Sequence, residues 1–170
     1  VLYNNMLQSL FSSQIKSFGL VLILIFIMFL VLFHSLKLTI VGIIPNIFAS
    51  SFILGLIGIL GIPLDIMTIT IAAITIGIAV DNTIHYLYRV RKNLSLKISV
   101  IESLKNSHNS VGHAVLTTSI TIAFGFSVLS LSNFVPTILF GVFTSLAMIV
   151  AMLGVLVSLP ILMQYFFNKV

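Results

Sequence analysis

The sequence contains very little charge. Only 6% of its 170 residues are Asp, Glu, Lys or Arg, whereas soluble globular domains contain about 25%. In contrast, 59% of the residues are hydrophobic and the mean hydropathy is +1.28. A soluble globular domain is therefore excluded, and the chain is predicted to lie in a membrane. The formal net charge of +5 has a meaning only once the cations are placed relative to the apolar segments.

Cysteine is absent, which excludes a disulfide framework, a thiolate nucleophile and a cysteine metal site. The three acidic residues, Asp65, Asp81 and Glu102, are far apart in the sequence, and the histidines do not have the HExxH spacing of a zinc protease. No GxxxxGK[ST] phosphate loop is present. We therefore expect no enzyme activity, no cofactor and no metal site.

Five apolar segments are long enough to cross a bilayer, since a hydrocarbon core of ~30 Å needs about 20 residues per helix. The sequence predicts an all-α fold, a polytopic membrane helix bundle of five transmembrane helices plus one cytoplasmic amphipathic helix. We expect a single transmembrane domain over residues 1–170, and the start at Val1 rather than Met suggests a fragment of a longer protein. The spans are expected near residues 17–36, 38–60, 64–88, 113–133 and 137–163.

Basic residues predict the orientation, because Lys and Arg in short loops remain on the cytoplasmic side. The long loop after the third span contains Arg89, Arg91, Lys92, Lys97 and Lys105. Placing this loop in the cytoplasm places Lys37 and Lys169 there too, and leaves only Lys16 outside. The chain is thus expected to be multi-pass in the cell inner (cytoplasmic) membrane, with an external N-terminus and a cytoplasmic C-terminus.

The cytoplasmic loop has its own helical pattern. Apolar residues recur at helical spacing within it, namely Leu94, Ile98, Ile101 and Leu104. This pattern predicts an amphipathic helix near residues 93–108. A connector that lies in the membrane interface beside anionic headgroups is favoured over a docking site for a partner protein.

The third span has a polar stripe on one helix face, formed by Thr70, Ala73, Gly77, Asp81 and His85. The small residues Ala73 and Gly77 are predicted to allow close helix packing. Asp81 precedes Arg89 by eight residues, or about 12 Å at ~1.5 Å per residue, which places the carboxyl group near the bilayer midplane. An ionised Asp at that depth costs roughly 2.5 to 3.5 kcal/mol, so it should either take up a proton or find a polar partner.

The fourth span offers such partners in Thr117, Thr118, Ser119 and Thr121. We predict that the third and fourth spans are adjacent, with the Asp81 carboxyl within hydrogen-bond or one-water reach of one of these hydroxyls. The candidate proton relay consists of Asp81, His85, Thr117, Thr118 and Thr121. The alternatives are that Asp81 is a neutral packing residue and that His85 simply reaches the membrane interface.

Two long segments resemble the membrane half of a transporter of the resistance, nodulation and cell division superfamily. They are GIPLDIMTITIAAITIGIAVDNTIHYLYRVRKN and VGHAVLTTSITIAFGFSVLSLSNFVPTILFGVFTSLAMIVAMLGVLVSLPIL. The chain is most similar to the MMPL-type exporters of lipids and other hydrophobic molecules. The most specific features are GIAVDxTIH, the Thr-rich next span and the pair Gly125 and Phe126. A half in that family has one span, a large external porter domain and five further spans, and this chain resembles the last five.

The resemblance implies efflux driven by the proton-motive force, with Asp81 as the relay acid of a proton antiporter and Thr117, Thr118 and Thr121 as its hydroxyl neighbours. The implied partners are membrane lipids, a lipid or hydrophobic substrate, a second homologous membrane half and porter domains absent from this chain, but no nucleic acid. Asn82 departs from the paired acids of many multidrug members. Two alternatives remain, a lipid-binding regulatory module similar to a sterol-sensing domain and a protein-export motor of the SecD and SecF type.

Overall fold

The computed structural model describes residues 2–62 and 66–167. Side chains are described from residue 13 onward, except for residues 14, 15, 66, 67 and 69. The acid Asp65, the first residues of the predicted third span and the cation Lys169 lie outside the described residues.

The described residues form seven α-helices and no β-strand. Two π-helical turns, His108–Gly112 and Gly154–Ser158, join the fourth helix to the fifth and the sixth to the seventh, and a 3-10 turn at Val128–Leu131 follows the fifth. The helices are α1 (Leu2–Phe33), α2 (Leu36–Ile59), α3 (Ile66–Ser95), α4 (Val100–Ser107), α5 (His113–Ser127), α6 (Val135–Leu153) and α7 (Leu159–Phe167).

Five helical units in the described ranges are long and apolar enough to cross a membrane, which confirms the predicted all-α fold with five transmembrane helices. Two bounds differ most from the expectation. The helix α3 continues past residue 88 to Ser95, and the fourth unit begins at Val100 because a π-helical turn keeps α4 and α5 continuous. The five units are Lys16–Phe33, Leu36–Ile59, Thr70–Ser95, Val100–Leu131 and Val135–Phe167.

The helices α2, α3 and α6 form the centre of the bundle. Ala49, Ala79 and Ala151, one from each of these helices, are buried together. Such small side chains let helix backbones approach closely, which is how helices gain packing energy in a bilayer. The helix α5 packs mainly on α6, and α1 packs on α2 and α3. One broad side of α3 and α5 therefore has no neighbour among the described residues.

Two glycines lie at tight helix crossings. A methyl group on Gly42 would lie 2.7 Å from Leu87 Cδ1 and 2.8 Å from Phe29 Cε2, so Gly42 allows α1, α2 and α3 to meet. A methyl group on Gly141 would lie 2.7 Å from the backbone oxygen of Phe126, so Gly141 allows α6 to approach α5. These contacts fix how the outer helices sit on the central three.

Candidate functional site

An acid and a histidine face outward from the middle of the third span. His85 Nε2 lies 3.5 Å from Asp81 Oδ1, one helical turn away on α3, and the two side chains are 68% and 70% exposed. Asp81 lies eleven residues after Thr70 and fourteen before Ser95, the two ends of this span. The pair is therefore placed at mid-span and on the surface of the single chain.

The same face of α3 is lined by small residues. Ala73 and Gly77 are exposed, and a methyl group added to Gly77 would meet nothing within 4 Å. The opposite face of α3 is packed, since Ile76, Ala79 and Val80 are buried. The structure thus brings Ala73, Gly77, Asp81 and His85 together in a stripe on a side of α3 that the described residues leave uncovered, which we call the open face.

The threonines of the fourth span are also exposed, but their hydroxyls are already bonded. Thr117, Thr118 and Thr121 donate to the carbonyl oxygens of His113, Ala114 and Thr117 at 2.9, 2.9 and 2.8 Å. This is the usual bond of a helical threonine to the carbonyl four residues earlier.

The expected direct hydrogen bond between these hydroxyls and Asp81 is therefore wrong for this chain. In the described part of the structure, the recorded partner of the carboxylate is His85. The physical reason is that α5 packs along α6 rather than along α3, so its threonines are satisfied within their own helix. A bridge through one water molecule stays a prediction.

A side-chain hydrogen bond between α3 and α5 is made by the neighbours of these residues. Asn82 Nδ2 donates to Ser119 Oγ at 3.2 Å, and both side chains are buried. Asp81 and Thr118 directly precede the two bonded residues and are exposed. The Asn82–Ser119 bond therefore fixes α5 beside α3 where the open face begins.

Sequence reasoning grouped Ser119 with the threonines and treated Asn82 as a departure from a family pattern. The helical period is the signal that separates Ser119 from the threonines and Asn82 from Asp81. Ser119 is two residues from both Thr117 and Thr121, so it lies on another side of α5. The same period places Asn82 about 100° around α3 from Asp81.

The described side chains contain no group of three or more histidine, aspartate or glutamate residues placed to hold a metal ion. What the open face offers is a carboxylate oxygen 3.5 Å from an imidazole nitrogen. These groups can accept, hold and pass on a proton, because each has a lone pair or an exchangeable hydrogen.

Comparison with known proteins gives two matches. The profile of the MMPL family matches residues 2–168. The chain is also 28% identical over 152 residues to a protein of Methanocaldococcus jannaschii named "Putative membrane protein MJ1562", and the alignment covers 89% of this chain and 38% of that protein. The chain thus spans less than half of the length of this relative. No solved structure matches the chain at a significant level.

Proposed function

The chain belongs to the MMPL family, and we propose that it acts as the membrane half of an exporter of lipids or other hydrophobic molecules that is driven by the proton-motive force. In this proposal Asp81 is the proton-relay acid. The chain has five helical units long and apolar enough to cross a membrane, which fits a transporter-type membrane module. We infer the lipid or hydrophobic substrate from family membership and not from the residues of this chain. The reason is that substrate contacts are expected in the porter domains, which are absent from this chain.

The observation that carries the proposal is the exposed Asp81–His85 pair at mid-span. A charged side chain at the bilayer centre is costly, and such residues almost always face a bundle interior or a water-filled cavity and mark ion or substrate pathways. The open face therefore needs a cover. A second homologous membrane half fits this need, because transporters of repeated architecture place their coupling sites between the repeats, and Ala73 and Gly77 leave room for a close helix.

Proton transfer can begin within the pair. The Oδ1–Nε2 distance of 3.5 Å is a few tenths of an ångström longer than a good hydrogen bond, so a small side-chain rotation brings the two atoms into bonding range. A proton on Asp81 makes the carboxyl neutral, and its transfer to Nε2 produces a carboxylate beside an imidazolium. His85 is one turn nearer to Arg89 than Asp81 is, so it is placed to pass the proton toward the aqueous side.

The driving force is of a suitable size for such a switch. Moving one charge through 100 mV supplies about 2.3 kcal/mol, which is close to the ~2.5 to 3.5 kcal/mol cost of an ionised Asp at a helix centre. Proton uptake at Asp81 removes that charge from the open face, and release restores it. Thr117, Thr118 and Thr121 can then turn their hydroxyls away from their own helix and toward Asp81. A hydroxyl can donate to the ionised carboxylate or accept from the protonated carboxyl group.

The test uses the intact protein in proteoliposomes with an imposed pH gradient and a fluorescent phospholipid analogue as cargo. Transport should follow the gradient in the wild type and should be lost in Asp81→Asn, which preserves the shape of the side chain but removes the proton exchange. Glu102→Gln makes the same chemical change at an exposed site outside the spans' polar stripe, and it should transport normally.

Normal gradient-driven transport by Asp81→Asn would contradict the relay role and make the residue structural. Binding of the lipid analogue without any gradient-driven transport in the wild type would instead favour a lipid-binding regulatory module similar to a sterol-sensing domain. Gradient-driven transport that survives in Asp81→Asn but is lost in Glu102→Gln would place the relay elsewhere.

We also propose that the loop holding α4 is cytoplasmic, in a cell inner membrane, with the N-terminus external. The support is the concentration of Arg89, Arg91, Lys92, Lys97 and Lys105 in that loop. In a cysteine-free intact protein, an impermeant maleimide added outside spheroplasts should label a cysteine at position 133 and leave one at position 105 unlabelled. The reverse pattern would invert the orientation.

A further inference from the structure

The segment between α3 and α5 exposes large apolar side chains that the bundle does not cover. Leu96, in the turn after α3, is 66% exposed, and Ile101, in the first turn of α4, is 60% exposed. The sequence grouped Ile101 with Leu104 in one apolar stripe, yet the structure buries Leu104 to 4% exposure and leaves Ile101 outside. Packing among the described residues does not explain why Leu96 and Ile101 are exposed.

The position of α4 is fixed by polar contacts on its inner side. Asn93 Nδ2 donates to the backbone oxygen of Ser103 and to Ser107 Oγ, both at 3.3 Å, and all three residues are buried. At the start of the helix, Ser99 Oγ accepts from the backbone N–H of Glu102 at 3.3 Å. Because α4 is held on this side, it cannot rotate to bury Ile101 without breaking buried hydrogen bonds, which is costly.

Basic side chains accompany the two apolar ones. Lys97 follows Leu96 and adopts a left-handed backbone conformation with φ of 61°, and Lys105 lies one turn after Ile101 on the same side of α4. Both lysines are exposed. We call Leu96, Lys97, Ile101 and Lys105 the basic apolar surface.

This surface lies close to the membrane boundary. Arg91 Nη1 donates to the backbone oxygen of Leu32 at 2.7 Å, so this part of α3 lies level with the last turn of α1. Ser95 is four residues beyond Arg91, or about 6 Å along the helix. The headgroup layer is about 5 to 7 Å thick on each side of the hydrocarbon core. The turn at Leu96 is therefore at the level of the headgroups.

We propose that the basic apolar surface binds anionic phospholipids of the bilayer that the chain spans. Leu96 and Ile101 insert among the acyl chains nearest to the headgroups, and Lys97 and Lys105 contact the phosphate groups. Apolar residues flanked by lysines are the pattern of segments that lie in the membrane interface, and anionic headgroups attract such lysines. A neutral lipid would satisfy only the apolar half of this surface. The proposal does not depend on the proton relay.

The test is the membrane depth of a spin label, measured from its accessibility to oxygen and to a water-soluble nickel chelate. This chain contains no cysteine, so Ile101→Cys in a cysteine-free intact protein gives a single labelling site. Asn106→Cys is the matched control, because residue 106 is exposed on α4 and lies about 140° around the helix from residue 101. The protein is placed in nanodiscs of phosphatidylcholine, with or without phosphatidylglycerol.

The label at position 101 should be accessible to oxygen and shielded from nickel, and it should move deeper when phosphatidylglycerol is added. The double variant Lys97→Gln and Lys105→Gln should lose the response to phosphatidylglycerol, and the label at position 106 should stay accessible to nickel throughout. A label at position 101 that is accessible to nickel in both lipid mixtures would overturn the proposal. Shielding from both reagents would also overturn it, because it would indicate a covering protein, and so would a depth independent of phosphatidylglycerol.

Discussion

Replacing Gly77 with leucine should impair transport while leaving the fold of this chain intact. A Cβ atom at residue 77 meets nothing within 4 Å among the described residues, and the position is exposed, so we expect the chain to accommodate a leucine side chain there. Leucine is also a better helix former than glycine by up to about 1 kcal/mol. The expected damage is therefore confined to whatever packs on the open face.

The size of the expected loss of transport in Gly77→Leu follows from close packing. If a second membrane half covers Gly77, a leucine there inserts four carbon atoms into a contact between backbones, and overpacking of this kind costs about 1 to 3 kcal/mol. At about 1.4 kcal/mol per factor of ten, the closed arrangement of the two halves should be disfavoured by roughly 5-fold to 150-fold. Transport of the lipid analogue should fall by a comparable factor.

The matched control is Gly55→Leu. Gly55 lies on α2, is exposed and also has nothing within 4 Å of an added methyl group, but no polar stripe accompanies it. A leucine at residue 55 should face lipid and be tolerated. The assay compares gradient-driven transport and thermal unfolding of the two variants in the intact protein. Equal activity of Gly77→Leu and wild type, or equal loss in both variants, would refute the covered open face.

Two further predictions concern stability, measured by chemical unfolding in detergent. Gly141→Ala should destabilise the protein by about 1 to 3 kcal/mol, because the added methyl group lies 2.7 Å from a backbone oxygen, whereas Gly125→Ala meets nothing and should be harmless; equal stability of both variants would contradict the crossing. Thr83→Val should cost about 1 to 3 kcal/mol, since it removes the 3.2 Å hydrogen bond to buried Asn46 Oδ1. Thr75→Val, which loses only a bond to its own helix, should cost less, and the opposite order would disprove the role of that bond.

The number of membrane helices and the polar stripe could be predicted from the sequence. Span number follows from the length of apolar segments, because the bilayer sets how many residues a helix needs. The stripe from Ala73 to His85 follows from the helical period alone. Neither depends on which helices pack together, and both are found in the structure.

The details of the site depend on packing, and there the sequence was less informative. The prediction placed the Asp81 carboxyl within hydrogen-bond or one-water reach of a hydroxyl on α5. The direct form of this contact is absent from the described side chains, because it needed α3 and α5 to pack along each other. Instead, α5 packs along α6, and the two spans are bonded by Asn82 and Ser119. The relay role of Asp81, His85, Thr117, Thr118 and Thr121 stays a prediction.

The same dependence on packing explains why the burial of apolar residues in the loop between α3 and α5 could not be predicted. The apolar spacing around Ile101 predicted an amphipathic helix, but which apolar residues would be buried depended on the bonds from Asn93 to Ser103 and Ser107. These bonds join residues more than one helical turn apart across a chain reversal, and no periodicity in the sequence reports them.

The most direct test of the account is whether the Asp81 carboxyl gains and loses a proton as the protein works. Infrared difference spectra of the intact protein in lipid, recorded between acidic and alkaline buffer, detect the C=O stretch of a protonated carboxyl group. Subtracting the spectra of Asp81→Asn from those of the wild type isolates this residue. If Asp81 is the relay acid, a carboxyl band should appear in the wild type on acidification, be missing in Asp81→Asn and shift in His85→Gln. Identical difference spectra for wild type and Asp81→Asn, in a protein that still transports along the gradient, would contradict it.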